Sequence, residues 1–275
     1  KEITLRFLKA RKNDGFLNVI SIFSFIGISL GVAVLIIVMS VMNGFRTELI
    51  NKIVGFNSHI TVKSYEKSID QNKLKNKNLK FISKNIIFSN SGEAIIFKKD
   101  TSKGIVLRGY ESNRFSDLQI IKNNKFKGNS SKLEKNYLSI GNELSFALDL
   151  KIGDEVTLMS PSGIETIIGN MPKQKTFMIT SIFNSGLADF DNNIAFINLN
   201  TLEEFFGYEV KDRHLEIYLK NPNNIESQKF IVQKIFNNEL VYSWADMNNS
   251  LFSALKVERN VMFIILSLII IVAAF

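Results

Sequence analysis

The amino-acid sequence predicts an α+β membrane protein: a long transmembrane helix, a large mixed α/β extracytoplasmic domain, and the start of a second transmembrane helix. Three observations carry this reading. Residues 15–45 contain no charged side chain, residues 261–275 are again uncharged and apolar, and the stretch from 57 to 244 changes to short alternating or β-branched runs separated by polar loops. With 45% hydrophobic and 22% charged residues and only 3 prolines in 275, the composition is that of a folded chain rather than a disordered or fibrous one.

Residues 1–14 are expected to form a cytoplasmic amphipathic segment, because Ile3, Phe7 and Leu8 lie among Arg and Lys in the pattern of a short helix at a membrane surface. The first span follows. A hydrocarbon core of about 30 Å needs about 20 apolar residues as a helix, and the run 16–42 exceeds this, interrupted only by residues such as Asn18, Ser21, Ser24 and Ser29. A cleaved signal peptide has an apolar core of about 7–15 residues ending in a small-residue site. This run instead continues through Met42, Asn43, Gly44 and Phe45, so a retained anchor with a stalk, residues 15–56, is expected. Lys1, Arg6, Lys9, Arg11 and Lys12 precede it against Glu2 and Asp14, while only Arg46 and Lys52 follow closely, which places the N-terminus in the cytoplasm. Gly27 and Gly31, four residues apart, offer a small-residue face on which another helix could pack closely.

In the middle region, runs at 58–63, 94–97, 105–108, 155–160, 176–183, 194–198 and 214–219 read as strands. Helical spacing at 141–148, 202–206 and 225–236 makes the region, 57–244, mixed α/β, in one domain or two subdomains. Residues 71–80 and 122–135, polar and rich in Lys and Asn, are expected to be exposed loops. From 245 onward, Leu251, Phe252, Leu255 and Met262 recur at helical spacing without a proline or glycine break, predicting one continuous helix from the domain into the second span.

The most specific stretch lies between Pro161 and Pro172, where Gly163 and Gly169 separate two strand-like runs and predict a protruding hairpin over about 159–175. Ile164, Ile167, Ile168 and Met171 would stand at its tip, and exposed apolar groups of that kind usually mark an interaction surface.

The net charge is +8, but the lysines are scattered through loops with no basic stripe and no nucleic-acid motif, so nucleic acid is not an expected partner. Without cysteine there is no disulfide framework. No glycine-rich phosphate loop occurs, so any ATP would have to be used by a partner, and no catalytic, cofactor or metal site is expected in this chain. His59 and His214 read as ordinary strand residues. Glu203 and Glu204 read as the solvated face of a short helix, and Asp189 and Asp191 as turn residues.

Three blocks carry a family resemblance: residues 7–16 (FLKARKNDGF) leading into 23–33 (FSFIGISLGVA), residues 38–46 (VMSVMNGFR), and residues 254–259 (ALKVER) running into 272–275. Over essentially the whole chain this resembles the LolC/LolE family of lipoprotein-releasing permeases, with its LolF hybrid, in the MacB/FtsX-type transporter superfamily. The resemblance implies a four-span permease of the bacterial inner membrane, cut here inside its second span, with the main domain periplasmic. It further implies a complex with a LolD-type ATPase and a second LolC/LolE-type permease or a second copy, which extracts lipoproteins and hands them to the periplasmic chaperone LolA. By the same resemblance the hairpin would be the hook that grips LolA, with Gln174 and Lys175 in a polar, basic pad beside it. A hook favours a LolC or LolF type over LolE. Met42, Phe45, Met262 and Ile265 would supply flexible apolar side chains to a cavity for acyl chains. A MacB-like efflux permease, an FtsX-like force-transmitting permease and a membrane-anchored sensor are alternative readings.

Overall fold

The computed structural model describes residues 15–99, 101–118, 126–129, 133–166, 169–222 and 225–274; the amphipathic segment predicted for 1–14 lies outside them. The chain divides into two compact units, Asn51–Met247 and the pair of terminal segments Lys1–Ile50 and Asn248–Phe275.

The described residues of the terminal segments are mainly helical. Helix α1 runs Gly15–Phe56, and its stretch Ile22–Phe45, 24 residues, is apolar on every side. At 1.5 Å per residue that stretch is on the order of 36 Å long, enough to cross a bilayer. Phe23 is 71% exposed and Leu30 64%, while Leu35 is buried at 9%, so most described side chains of this stretch present an apolar surface outward.

The larger unit follows the order β1 (Ile60–Lys63), a 3₁₀ turn (Gln71–Lys75), α2 (Lys77–Ile82), β2 (Ser83–Lys98), β3 (Thr101–Tyr110), α3 (Ser112–Phe115), β4 (Phe126–Gly128), β5 (Tyr137–Gly141) and α4 (Asn142–Ala147). It continues with β6 (Glu155–Thr166), β7 (Gly169–Phe183), α5 (Ala188–Asn193), β8 (Ile194–Asn198), α6 (Leu199–Phe206), β9 (His214–Leu219), α7 (Ile225–Ile235), β10 (Leu240–Ser243) and α8 (Trp244–Met247). Every predicted strand forms. Three further short strands, β4, β5 and β10, are not among the predicted runs.

Six strands close on themselves: β2 pairs β3, β3 pairs β8, β8 pairs β5, β5 pairs β7, β7 pairs β6, and β6 returns to β2. Alternate residues point into this ring. Ala94 and Ile96, Ile105 and Leu107, Leu138 and Ile140, Val156 and Leu158, Phe177 and Ile179, and Ala195 and Ile197 fill it, completed by Leu202 and Phe205 of α6. Phe183, Phe196, Tyr110 and Phe115 form a separate aromatic cluster, with Phe183 and Phe196 centroids 4.9 Å apart.

The first half of β2 leaves the ring and pairs β9, which pairs β1, which pairs β10. Leu79 of α2 with Val232 and Phe236 covers Ile60, Val62, Leu215 and Ile217 of that sheet. Residues 71–80 are therefore not an open loop. Asp70 and Asn76 cap the two turns by accepting from the N–H of Asn72 and Asn78, and the isolated apolar residues Leu74 and Leu79 pack inward. Two apolar residues in ten carry too weak a periodicity to announce this. Of the other predicted loop, residues 126–128 form β4, and 122–125 and 130–132 lie outside the described residues.

The last helix also departs from expectation. It is broken by a turn at Asn248 into α8 and α9 (Asn249–Ala274). The Asp246 carboxylate accepts from the N–H and Oγ of Ser243 and from Lys229, and the N–H of Trp244 donates to the His59 carbonyl, which holds the short α8 against the domain.

Candidate partner-binding hairpin

Strands β6 and β7 leave the ring as a two-stranded ribbon. Thr157, Leu158 and Met159 of β6 pair with Phe97, Ile96 and Ile95 of β2, and the ladder stops before Pro161, which has no N–H to donate. Only β7 remains as a partner. Ser160 stands opposite Lys173 and the next pair is Ile164 opposite Met171, so Pro161, Ser162 and Gly163 face the single residue Pro172. Both prolines thus fall at one irregularity of the ladder, where the missing donors cost least. Pairing resumes to Thr166 and Gly169, leaving a two-residue connection.

The predicted hairpin is therefore present. Ile167 and Ile168 lie outside the described residues, as does the side chain of Ile164. Pro161 and Pro172 are exposed, and Met171 is 56% exposed.

Strand alternation divides the two residues expected to form a pad. The Lys175 Nζ lies 3.9 Å from the Glu204 Oε2 on α6 and 5.7 Å over the ring of Phe177, and Lys173 on the same side donates to the Glu204 carbonyl. Lys135 Nζ is 3.6 Å from that same Glu204 oxygen. Gln174 turns the other way, is exposed, and donates to the Met159 sulfur at 3.8 Å. Gln174 and Lys175 are neighbours in the chain and on opposite faces of the ribbon. Lys135 and Glu204, distant in sequence, are the members of this polar site that sequence reasoning missed.

Glu204 is solvated as expected, but Glu203 is not. Only 9% exposed, it takes both Nε and Nη2 of Arg213 at 2.7 and 2.8 Å, because successive helix positions point about 100° apart and Glu203 faces inward. Asp191 is likewise no turn residue: it lies in α5, is 2% exposed, and accepts the N–H of Ser185. Burial holds its carboxyl above the usual range against those hydrogen bonds. His59 is buried, with Nδ1 accepting the Leu219 N–H at 2.6 Å. Burial, then Lys63, holds His214 below the ordinary histidine range. Among the described residues, no group of three or more His, Cys, Asp or Glu could hold a metal.

A second polar cluster was invisible in the sequence. The Glu216 carboxylate on β9 accepts from Ser89 Oγ (2.8 Å), Arg108 Nη2 (3.0 Å), Tyr110 OH (3.1 Å) and Tyr218 OH (2.7 Å). Burial opposes its ionisation, yet the Arg108 guanidinium and these hydrogen bonds outweigh it and hold the carboxyl below the usual range. Burial likewise opposes the charge on Arg108 and is outweighed by the surrounding oxygens. Arg108 Nη1 also donates to Asn57, the residue after α1.

In the terminal helices, Met42 and Met262 are half-buried, Phe45 is 58% exposed and Ile265 39%. A methyl group added at Gly27 or Gly31 would touch nothing within 4 Å.

Residues 21–234 match the family described as the MacB-like periplasmic core domain. The chain is 29% identical, over 99% of its length and 67% of the relative's, to the lipoprotein-releasing system transmembrane protein LolC of Neisseria meningitidis serogroup B. It is 30% identical to the LolC protein of Buchnera aphidicola subsp. Acyrthosiphon pisum, over 97% of this chain and 66% of that one. To the LolE protein of Haemophilus influenzae it is 25% identical, over 99% and 68%.

Proposed function

The chain belongs to the family of the MacB-like periplasmic core domain, and from that premise we propose that it is a permease subunit of an ATP-driven ABC transporter that extracts lipoproteins from the inner membrane and passes them to the periplasmic chaperone LolA. The observation that carries this reading is the extent of the likeness: it runs through 99% of the chain, α1 included, with transmembrane proteins that bear the LolC name. The reading places the N-terminus in the cytoplasm, the domain in the periplasm, and α1 and α9 among several spans. A LolD-type ATPase would bind ATP and Mg, and a second permease, of LolC/LolE type or another copy, would pack on the face opened by Gly27 and Gly31.

Each part of the chain has a physical task in this scheme. Moving acyl chains from lipid to chaperone through water would cost about 0.8 kcal/mol per methylene, so the chaperone must be held at the release point. The two-stranded ribbon rooted in the closed ring would do this: its tip, with Ile164, Ile167, Ile168 and Met171, would enter the chaperone while Gln174 on one face and Lys175 on the other steady it. Met42, Phe45, Met262 and Ile265 would line the lipid's path between the membrane helices.

A photo-crosslinking residue at Gln174, in the intact protein in membranes, is expected to capture the LolA-type chaperone, and deletion of residues 162–170 to abolish the capture. A folded, inserted protein that captures nothing would overturn the reading.

A further inference from the structure

On the opposite part of the domain from the ring core, α2 leaves a stretch of the β2–β9 face incompletely covered. Ile86 and Phe88 flank the buried Ile87, point to the side packed by α2 and α7, and remain half-exposed. Above them lies an open cavity of about 390 Å³, with Leu74 on one wall and Lys80, Lys84 and Arg114 around it. That size is within the range of about 300–1,000 Å³ typical of small-molecule sites.

The charges are unequal. Arg114 is held in place, with Nη2 donating to the Ile86 carbonyl at 2.9 Å and Nη1 3.3 Å from Asp117, the one carboxylate among the described residues that pairs with a member of this group. Lys80 and Lys84 are exposed and have no ion-pair partner among the described residues. The backbone that carries Lys80 is fixed, because Lys220 Nζ donates to the carbonyls of Lys80 and Phe81. Three cations against one carboxylate beside an apolar floor form an amphipathic site. An apolar ligand would leave the lysines without a counter-charge, and a bare anion would leave Ile86 and Phe88 uncovered.

We propose that this cavity binds an anionic amphiphile, with a phosphate or carboxylate head among Lys80, Lys84 and Arg114 and the adjoining methylenes over Ile86 and Phe88. Lysine is suited to such a head as a mobile point charge, and each methylene buried on the floor strengthens binding roughly fourfold. The site belongs to the domain alone and does not depend on the transport reading.

The test uses the whole chain in maltoside micelles with dihexanoyl phosphatidylglycerol carrying a diazirine at the end of one acyl chain, followed by mass-spectrometric mapping of the adducts. Adducts are expected on residues 86–88 or on Leu74, competed by unlabelled phosphatidylglycerol but neither by phosphatidylcholine nor by inorganic phosphate. The double substitution K80Q/K84Q should reduce them by about fivefold or more, the loss of an exposed charge interaction of about 1 kcal/mol, with an unchanged thermal transition. Adducts insensitive to that substitution would overturn the site. Competition by phosphate as strong as by phosphatidylglycerol would overturn its amphiphilic character.

Discussion

Glu216 shows most clearly what a single residue does in this domain. Its carboxylate joins Ser89, Arg108, Tyr110 and Tyr218 in a buried cluster, so removing one charge strands the other. Arg108→Met should cost about 3–5 kcal/mol in urea denaturation, whereas Arg108→Met with Glu216→Leu should recover a large part of that loss. The pH dependence follows from the same groups. His214 is held below its ordinary value of 6.5, so the unfolded chain takes up the proton first and stability should begin to fall as pH drops through about that value. Glu216 is held below its ordinary 4.5, so its contribution is complete above that pH and is lost as pH falls further toward its folded value. A melting series extended from neutral pH down to about pH 2 checks both. Packing gives a third test: a Cβ at Gly141 would lie 2.0 Å from the Asp191 carbonyl oxygen, so Gly141→Ala should lower stability by about 1–3 kcal/mol as α5 is pushed away.

At the level of elements, the hairpin is the part whose stability and use are separable. Pro161, Met171 and Pro172, the described residues that flank its tip, are exposed, so deleting residues 162–170 should shift unfolding by no more than about 0.5 kcal/mol while removing chaperone capture. Glu204→Gln should likewise change stability by less than about 1 kcal/mol, because Lys135 and Lys175 meet its carboxylate in solvent. The hairpin was legible because two prolines and two glycines mark it within a short stretch, and the longer strands because alternation repeats within each run. The division of Gln174 from Lys175 follows from the same alternation, but only once both are known to lie on a strand rather than in the turn. The break at Asn248 depends on Asp246 reaching back to Ser243 and Lys229, a contact with no periodic signature.

At the scale of the whole molecule, the reading of a membrane anchor with an external domain is open to a direct test, since the chain has no cysteine of its own. Cysteine placed at Asn76, which is exposed, should react with a membrane-impermeant maleimide added from the periplasmic side, and cysteine at Lys9 should not; reaction at both or in the reverse order would contradict the orientation. The sequence by itself determined the apolar anchor, the asymmetry of its basic flanks, the mixed α/β character of the domain and the hairpin, because each is a property of residues close together in the chain. The tertiary structure alone decided that six strands close into a ring, that Lys135 and Glu204 join the base of the hairpin, and that Arg108 meets Glu216. Those pairings join segments up to more than a hundred residues apart, as with Arg108 and Glu216, and what selects them is the burial of the shared core rather than any local pattern.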